Sequence, residues 1–170
     1  MKRQMIGKRV TMVSAALALA ACGSEQSETL EMSDGSEATY TVDAEAGDAS
    51  LSISGDDGAQ ITIDGGDDVA TDLPDGFALY PGARAVSSTL MQQSDGSGVL
   101  LVMETADSPE KLVAFYRAQA EDVGIVIDTE MNSAGQSMIA GESPDGRIFS
   151  FNASPSGDKS VGQLLVGRSQ

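Results

Sequence analysis

The sequence predicts an α+β fold: an antiparallel sheet with one main helix packed on one face, preceded by a small β-meander. Short runs that alternate apolar and polar residues, separated by Gly- and Asp-rich breaks, are typical of strands. A helix-like segment lies between residues 107 and 124, and in the main domain two strand-like runs precede it and four follow it. This order favours an antiparallel sheet with the helix on its inner face.

The β-meander is predicted over residues 38–68. Its three runs cover residues 39–42, 51–54 and 61–64, in which β-branched residues are frequent. Turn-forming Gly and Asp residues separate the runs. Because so small a sheet is marginally stable alone, we expect it to pack on the main domain or on a partner.

The main domain is predicted over residues 73–170, and its helix has the clearest boundaries. Ser108 is placed to cap the first turn, and Pro109 suits the first helical position, where its missing N–H costs nothing. Gly124 can take the left-handed conformation that ends a helix. The predicted buried face of this helix consists of Leu112, Phe115, Tyr116, Ala120 and Val123.

Six strands are predicted around this helix. Residues 99–103 form an unbroken apolar run that indicates a buried strand, with residues 84–91 as its neighbour. After the helix, strands are predicted over residues 125–131, 138–142, 147–153 and 164–166. Pro144 and Gly146 lie where a type I turn prefers them, so the second and third of these four strands should form a hairpin.

The first residues have the pattern of a secretory signal peptide. Four basic residues, Lys2, Arg3, Lys8 and Arg9, precede an apolar run over residues 10–19. A membrane-spanning helix needs roughly 20 apolar residues, and this run is too short. We therefore predict that it is a cleaved signal and not a transmembrane anchor.

The signal ends in Leu19-Ala20-Ala21-Cys22, which resembles the lipobox of bacterial lipoproteins. The resemblance implies that residues 1–21 are removed and that lipid is attached to Cys22, usually with a third acyl chain on the new amino terminus. Two or more acyl chains hold a protein firmly to a membrane. Gly23 stands where Asp commonly retains such proteins in the inner membrane. In a cell with two membranes, the resemblance therefore implies the periplasmic face of the outer membrane.

The charge of the chain is strongly acidic and unevenly distributed. Without residues 1–21 the chain has six basic and 26 acidic residues. Residues 22–76 hold fifteen acidic residues and no Lys or Arg. Residues 22–37 are therefore predicted to be a lipidated, acidic and flexible tether. Nucleic acid and anionic headgroups should be repelled, so the membrane partner is reached through the lipid on Cys22.

Residue usage excludes several classes of enzyme. The chain has no His, and Cys22 is its only cysteine. This removes Ser-His-Asp and Cys-His nucleophilic sites and zinc sites built on Cys or His. We predict a protein that is not an enzyme and has no cofactor, no catalytic residues and no metal site.

Two short motifs resemble known catalytic or metal sites. Ser108 and Lys111 match Ser-x-x-Lys of penicillin-binding proteins and β-lactamases, but the Ser-Asp-Asn and Lys-Thr-Gly elements of those enzymes are missing. Helix capping explains Ser108 fully. Five aspartates among glycines suggest a calcium site, although their spacing fits no known calcium loop and suits tight turns equally well; they are Asp56, Asp57, Asp64, Asp67 and Asp68.

Phe77 and Tyr80 lie between two Pro-containing turns in residues 73–83. Their rings could pack this segment against the sheet, or they could form an exposed patch for a protein partner. The segment Leu79-Tyr80-Pro81-Gly82-Ala83, together with residues 108–111 and the Phe115-Tyr116 pair, resembles a family of small uncharacterised bacterial envelope proteins. This resemblance covers residues 73–124 and implies no activity.

The sequence therefore favours a membrane-anchored envelope lipoprotein with a non-catalytic interaction or assembly role and an unknown protein partner. The alternative is a lipoprotein that binds a small ligand or a cation. A ligand-binding protein should show a thermal shift with its ligand, whereas a protein that only binds partners should not.

Overall fold

The computed structural model describes residues 25–169, apart from residues 34, 44–46, 56, 68, 70 and 134. The predicted signal peptide and Cys22 lie outside the described residues. Along the described chain the elements are β1 (Glu25–Glu31), β2 (Glu37–Asp43), β3 (Asp48–Ser54), β4 (Gln60–Gly65), β5 (Arg84–Gln93), β6 (Gly96–Thr105), α1 (Pro109–Asp122), β7 (Val126–Ser133), β8 (Gln136–Glu142), β9 (Arg147–Ser156) and β10 (Lys159–Ser169).

All of these strands belong to one antiparallel sheet. Its order is β1-β2-β3-β4-β5-β6-β10-β9-β8-β7. Strands β1 to β6 follow one another as a meander, and α1 then carries the chain to β7 at the far edge. From β7 the chain returns strand by strand until β10 pairs with β6. The predicted antiparallel sheet with one helix is confirmed.

The helix covers only one half of one face of the sheet. It packs on β7, β8, β9 and β10, and this face is called the inner face below. Leu112, Tyr116 and Ala120 are fully buried there. They lie over a cross-strand row of fully buried side chains, Leu101, Leu164, Phe151 and Ile139. Half-buried Phe115 and Val123 pack against this core, in agreement with the predicted apolar face.

The boundaries of α1 follow the predicted signals, but its cap differs. Pro109 begins the helix, and after Asp122 Gly124 adopts a φ of 83°, which ends it. The Ser108 hydroxyl makes no capping hydrogen bond to the helix backbone, although the Ser108 carbonyl accepts the N–H of Lys111 at 3.1 Å. The predicted side-chain cap is therefore wrong.

The first four strands confirm the predicted three-stranded meander as β2 to β4 and correct the predicted tether. Residues 25–31 of the predicted tether form β1, which pairs with β2 along its whole length. The meander extends the main sheet, because β4 pairs with β5. With ten strands and one helix among the described residues, the architecture is mainly β rather than an even mixture of helix and sheet.

Candidate functional site

A cavity lies on the inner face, where the helix does not reach. We call it the inner groove. It has a volume of about 450 Å³ and lies between the lead-in segment, residues 71–83, and strands β5, β6, β9 and β10. Its apolar lining is Leu73, Phe77, Leu90, Val99 and Val166, and its polar lining includes Asp72, Asp75, Gln92, Ser97, Arg147 and Arg168.

Sheet register builds the apolar floor of the groove. Leu90 on β5 lies opposite Val99 on β6, and Val99 lies opposite Val166 on β10. The same row continues to Phe149, whose ring stacks on Phe77 with 5.8 Å between the ring centroids. The helix packs on β7 to β10 and reaches β6 at Met103, through the Tyr116 hydroxyl, so the lead-in segment covers the floor at Leu90 and Val99.

A turn at Gly76 brings the lead-in segment close to the end of the helix. The N–H of Phe77 donates to the Pro74 carbonyl at 3.0 Å. Gly76 has a φ of 92°, and a Cβ at this position would lie 2.1 Å from Cγ1 of Val123. Glycine is therefore required here both for the backbone conformation and for the close packing against Val123.

Hydrogen bonds to α1 hold the rest of the segment. The N–H of Ala78 donates to Oε1 of Gln119 at 3.2 Å, and the N–H of Tyr80 donates to the Tyr116 hydroxyl at 3.0 Å. The Tyr116 hydroxyl in turn donates to Sδ of Met103 at 3.2 Å. Burial raises the pKa of Tyr116 to about 12, so this hydroxyl stays protonated at neutral pH. One buried tyrosine thus joins the helix, the sheet and the lead-in segment.

The lead-in segment also meets the start of the helix at Asp107. The Tyr80 hydroxyl donates to Oδ2 of Asp107 at 3.0 Å, and Nζ of Lys111 donates to Oδ1 at 2.5 Å. These hydrogen bonds, from Lys111 first and then from Tyr80, hold the pKa of Asp107 below its usual value. Lys111 therefore pairs with Asp107, and the Ser108–Lys111 contact that Ser-x-x-Lys chemistry needs is replaced by this ion pair.

Two arginines and one carboxylate form the polar end of the groove. Arg168 and Arg147 lie opposite each other on β10 and β9, and both form ion pairs with Asp145. The Ser143 hydroxyl also donates to Asp145, and this bond, followed by the two arginines, lowers the pKa of its carboxyl. Because two guanidinium groups share one carboxylate, hydrogen-bond donors remain for a ligand.

The two aromatic residues that the sequence predicts as a possible interaction patch, Phe77 and Tyr80, differ in burial. Phe77 is 8% exposed and belongs to the core. Tyr80 is half-buried, with its ring edge-on to Phe115 at 5.1 Å. The packing alternative describes both rings well. The sequence analysis did not identify the arginines of the groove as site residues, although it placed Arg147 at the start of a predicted strand and Arg168 just after another.

Two of the five aspartates predicted as a possible calcium site have local partners. Oδ1 of Asp57 accepts the N–H of Ala59 at 3.0 Å, and Asp67 pairs with Arg84 at 3.1 Å. Asp56 and Asp68 lie outside the described residues. Within the described part of the chain, no group of three or more acidic or cysteine side chains is arranged to hold a metal ion.

Comparison with known proteins gives one finding. A family model described as START domain-like matches residues 85–160, somewhat less than half of the chain. The match runs from β5 to the start of β10 and includes α1 and most of the floor of the inner groove. No curated protein and no solved structure matches the chain significantly. Within residues 25–169, as far as they are described, no helix is long and apolar enough to cross a membrane.

Proposed function

We propose that this protein is a lipid-anchored envelope protein that binds a small, mostly apolar ligand in the inner groove, without catalysis. The observation that carries the proposal is the groove itself. Its volume of about 450 Å³ is that of a small-ligand site, and such sites combine an apolar lining with a few polar groups. The groove therefore favours the ligand-binding alternative over the interaction role that the sequence placed first.

The lining indicates the kind of ligand. Leu90, Val99 and Val166 offer an apolar floor, while Arg147 and Arg168 offer donors at one end. A guanidinium group binds carboxylate and phosphate oxygens in a bidentate manner. We expect a ligand with an apolar body and one acceptor group directed at Arg168. The START domain-like match over residues 85–160 supports a ligand-binding role for this part of the sheet.

The anchor in this proposal is the lipid on Cys22. Three residue steps separate Cys22 from Glu25, the first residue of β1, and extended chain spans about 3.5 Å per residue. The β1 edge would therefore lie within about 10 Å of the lipid. The groove, which begins four strands away at β5, would lie farther from the anchor than this edge does.

Titration with a fluorescent anionic probe, 8-anilinonaphthalene-1-sulfonate, tests the groove. Leu90→Trp should fill the floor and weaken binding of the probe at least about tenfold, because the bound ring and the new side chain need the same space. Thr39→Trp is the matched control: it adds the same ring on the same face of the sheet at β2, and it should bind the probe like the wild type.

Two further results bear on the proposal. Arg168→Gln should weaken binding of the anionic probe more than that of the uncharged probe N-phenyl-1-naphthylamine, since only the former needs the guanidinium. If Leu90→Trp binds the anionic probe as tightly as Thr39→Trp does, the ligand site is not the inner groove and the proposal fails.

A further inference from the structure

The apolar side of the sheet changes from the inner face to the outer face along its length. On β6, β10, β9 and β8 the buried apolar residues point to the inner face. On β1 to β4 the inner face is polar, as hydrogen bonds between Thr29 and Thr39 and between Ser52 and Thr62 demonstrate. The alternate positions on these strands point outward and include Leu30, Tyr40, Leu51, Ile53, Ile61 and Ile63.

Register continues this outward apolar surface across the rest of the sheet. Ile61 lies opposite Met91, and Ile63 lies opposite Thr89, which pairs with Leu100 and through it with Leu165. We call the outward residues of β1–β6, β10 and β9 the outer face. Of the seven large apolar side chains that are exposed among the described residues, six point to this side of the sheet, and Met32 is the exception.

Two glycines form a trough in the outer face. Gly98 on β6 and Gly167 on β10 lie opposite each other, between Met91 on β5 and Ile148 on β9. The missing side chains leave a shallow cavity of about 230 Å³ that Met91, Ile148 and Leu165 line. A trough flanked by apolar side chains is suited to receive apolar side chains from a second flat surface.

We propose that the outer face binds the outer face of a second copy of this chain, so that two sheets stack in a two-fold symmetric dimer. The outer face has eight strands about 4.8 Å apart, each with three outward residues about 6.8 Å apart along the strand. It therefore covers roughly 750 Å² on each copy, or roughly 1,500 Å² in total. Stable interfaces bury about 1,200–2,000 Å², so the area suffices. This inference is independent of the inner groove, which opens on the other face.

Charge favours a second copy over a membrane surface. The outward residues of β2–β6, β10 and β9 are uncharged except at the strand ends. At one such end Glu104 pairs with Arg84 and Lys159. An uncharged centre with a charged rim is the usual composition of a protein interface. Surfaces that lie on membranes are typically bordered by Lys and Arg, whereas residues 22–76, which include β1 to β4, contain no Lys or Arg.

Sedimentation velocity of the Cys22→Ser chain, which can be studied without detergent, tests the proposal. We expect a dimer in this background. Tyr40→Glu with Ile63→Glu, at side chains that are 49% and 37% exposed, should weaken the dimer at least about 100-fold, because each copy then buries unpaired charges. Thr39→Glu with Thr62→Glu places the same charges on the inner face of the same strands, and this control should stay dimeric.

Circular dichroism melting establishes that each variant folds. If the Tyr40/Ile63 variant loses its cooperative melt, Ile148→Glu, at the 46% exposed rim of the trough, replaces it with the same expected result. A monomeric Cys22→Ser chain overturns the proposal, and so does a control that dissociates as readily as the outer-face variant. Binding of the Cys22→Ser chain to phosphatidylcholine vesicles through Tyr40 and Ile63, in place of dimerisation, would assign the face to the membrane and also overturn it.

Discussion

Replacing Tyr116 by Phe removes one hydroxyl from the point where helix, sheet and lead-in segment meet. In the wild type this hydroxyl accepts the N–H of Tyr80 and donates to Sδ of Met103. The variant keeps the ring, and with it the 4.4 Å contact with Phe151, but leaves the Tyr80 N–H without its acceptor. A part-buried donor without a partner costs about 1–3 kcal/mol.

We therefore expect Tyr116→Phe to lower the free energy of unfolding by about 1–2 kcal/mol. Urea unfolding followed by circular dichroism measures this difference. Tyr80→Phe is the control: it loses only the half-exposed hydrogen bond to Asp107 and should lose less stability. If Tyr116→Phe is as stable as the wild type, the hydroxyl does not hold the lead-in segment, and this explanation of how the inner groove is covered is wrong.

Tyr116→Phe should also differ from the wild type in how its stability depends on pH at high pH. The pKa of Tyr116 is about 12 in the folded chain, against 10.0 without burial. Between these values the folded chain keeps the phenolic proton and the unfolded chain loses it. The contribution of Tyr116 is therefore complete below about pH 10 and is lost as the pH rises towards 12, by about 2–3 kcal/mol. The wild type should lose more stability over this range than Tyr116→Phe, and equal losses would contradict the assignment.

Three further predictions concern the anchor, the helix start and the lead-in turn. Cys22→Ser should move the protein from the membrane pellet to the soluble fraction, because the proposal assigns all membrane affinity to lipid on Cys22; a cleaved variant that stays in the pellet contradicts lipid anchoring. Ser108→Ala should change the free energy of unfolding by less than about 0.5 kcal/mol, because the Ser108 hydroxyl makes no capping bond; a loss near 1 kcal/mol, the usual cost of removing a side-chain cap, would show that it does cap. Gly76→Ala should lower stability by roughly 1–3 kcal/mol, because its φ of 92° and the nearby Val123 both disfavour a side chain. Chemical denaturation measures both stability changes, and an unchanged midpoint for Gly76→Ala would show that the turn can relax.

The helix and the later strands could be predicted because their signals are local. Pro109 and Gly124 mark the helix ends, and the turn at residues 143–146 joins β8 to β9 as expected, with the N–H of Gly146 donating to the Ser143 carbonyl at 3.0 Å. The continuous apolar run at residues 99–103 lies in β6, whose inner side is buried.

Strand β1 could not be predicted, because its residues lack an apolar alternation. Its side-chain hydrogen bonds, such as the one between Thr29 and Thr39, exist only once β2 lies beside it. The sequence of residues 25–31 taken alone therefore has the composition of a solvated tether.

The inner groove could not be predicted for a similar reason. Leu90, Val99 and Val166 become neighbours only through the pairing of β5 with β6 and of β6 with β10. Arg147 and Arg168 meet only across β9 and β10. None of these positions has an unusual local sequence, so the site depends on long-range register that a pattern along the chain does not contain.

The most direct test of the central claim is photoaffinity labelling of the protein with an apolar carboxylic acid that carries a diazirine. The proposed function predicts saturable labelling of residues 71–80 and of β5 and β6, which unlabelled acid suppresses and Leu90→Trp prevents. Labelling that does not saturate, or that is confined to the outer face of β2–β4, would contradict ligand binding in the inner groove.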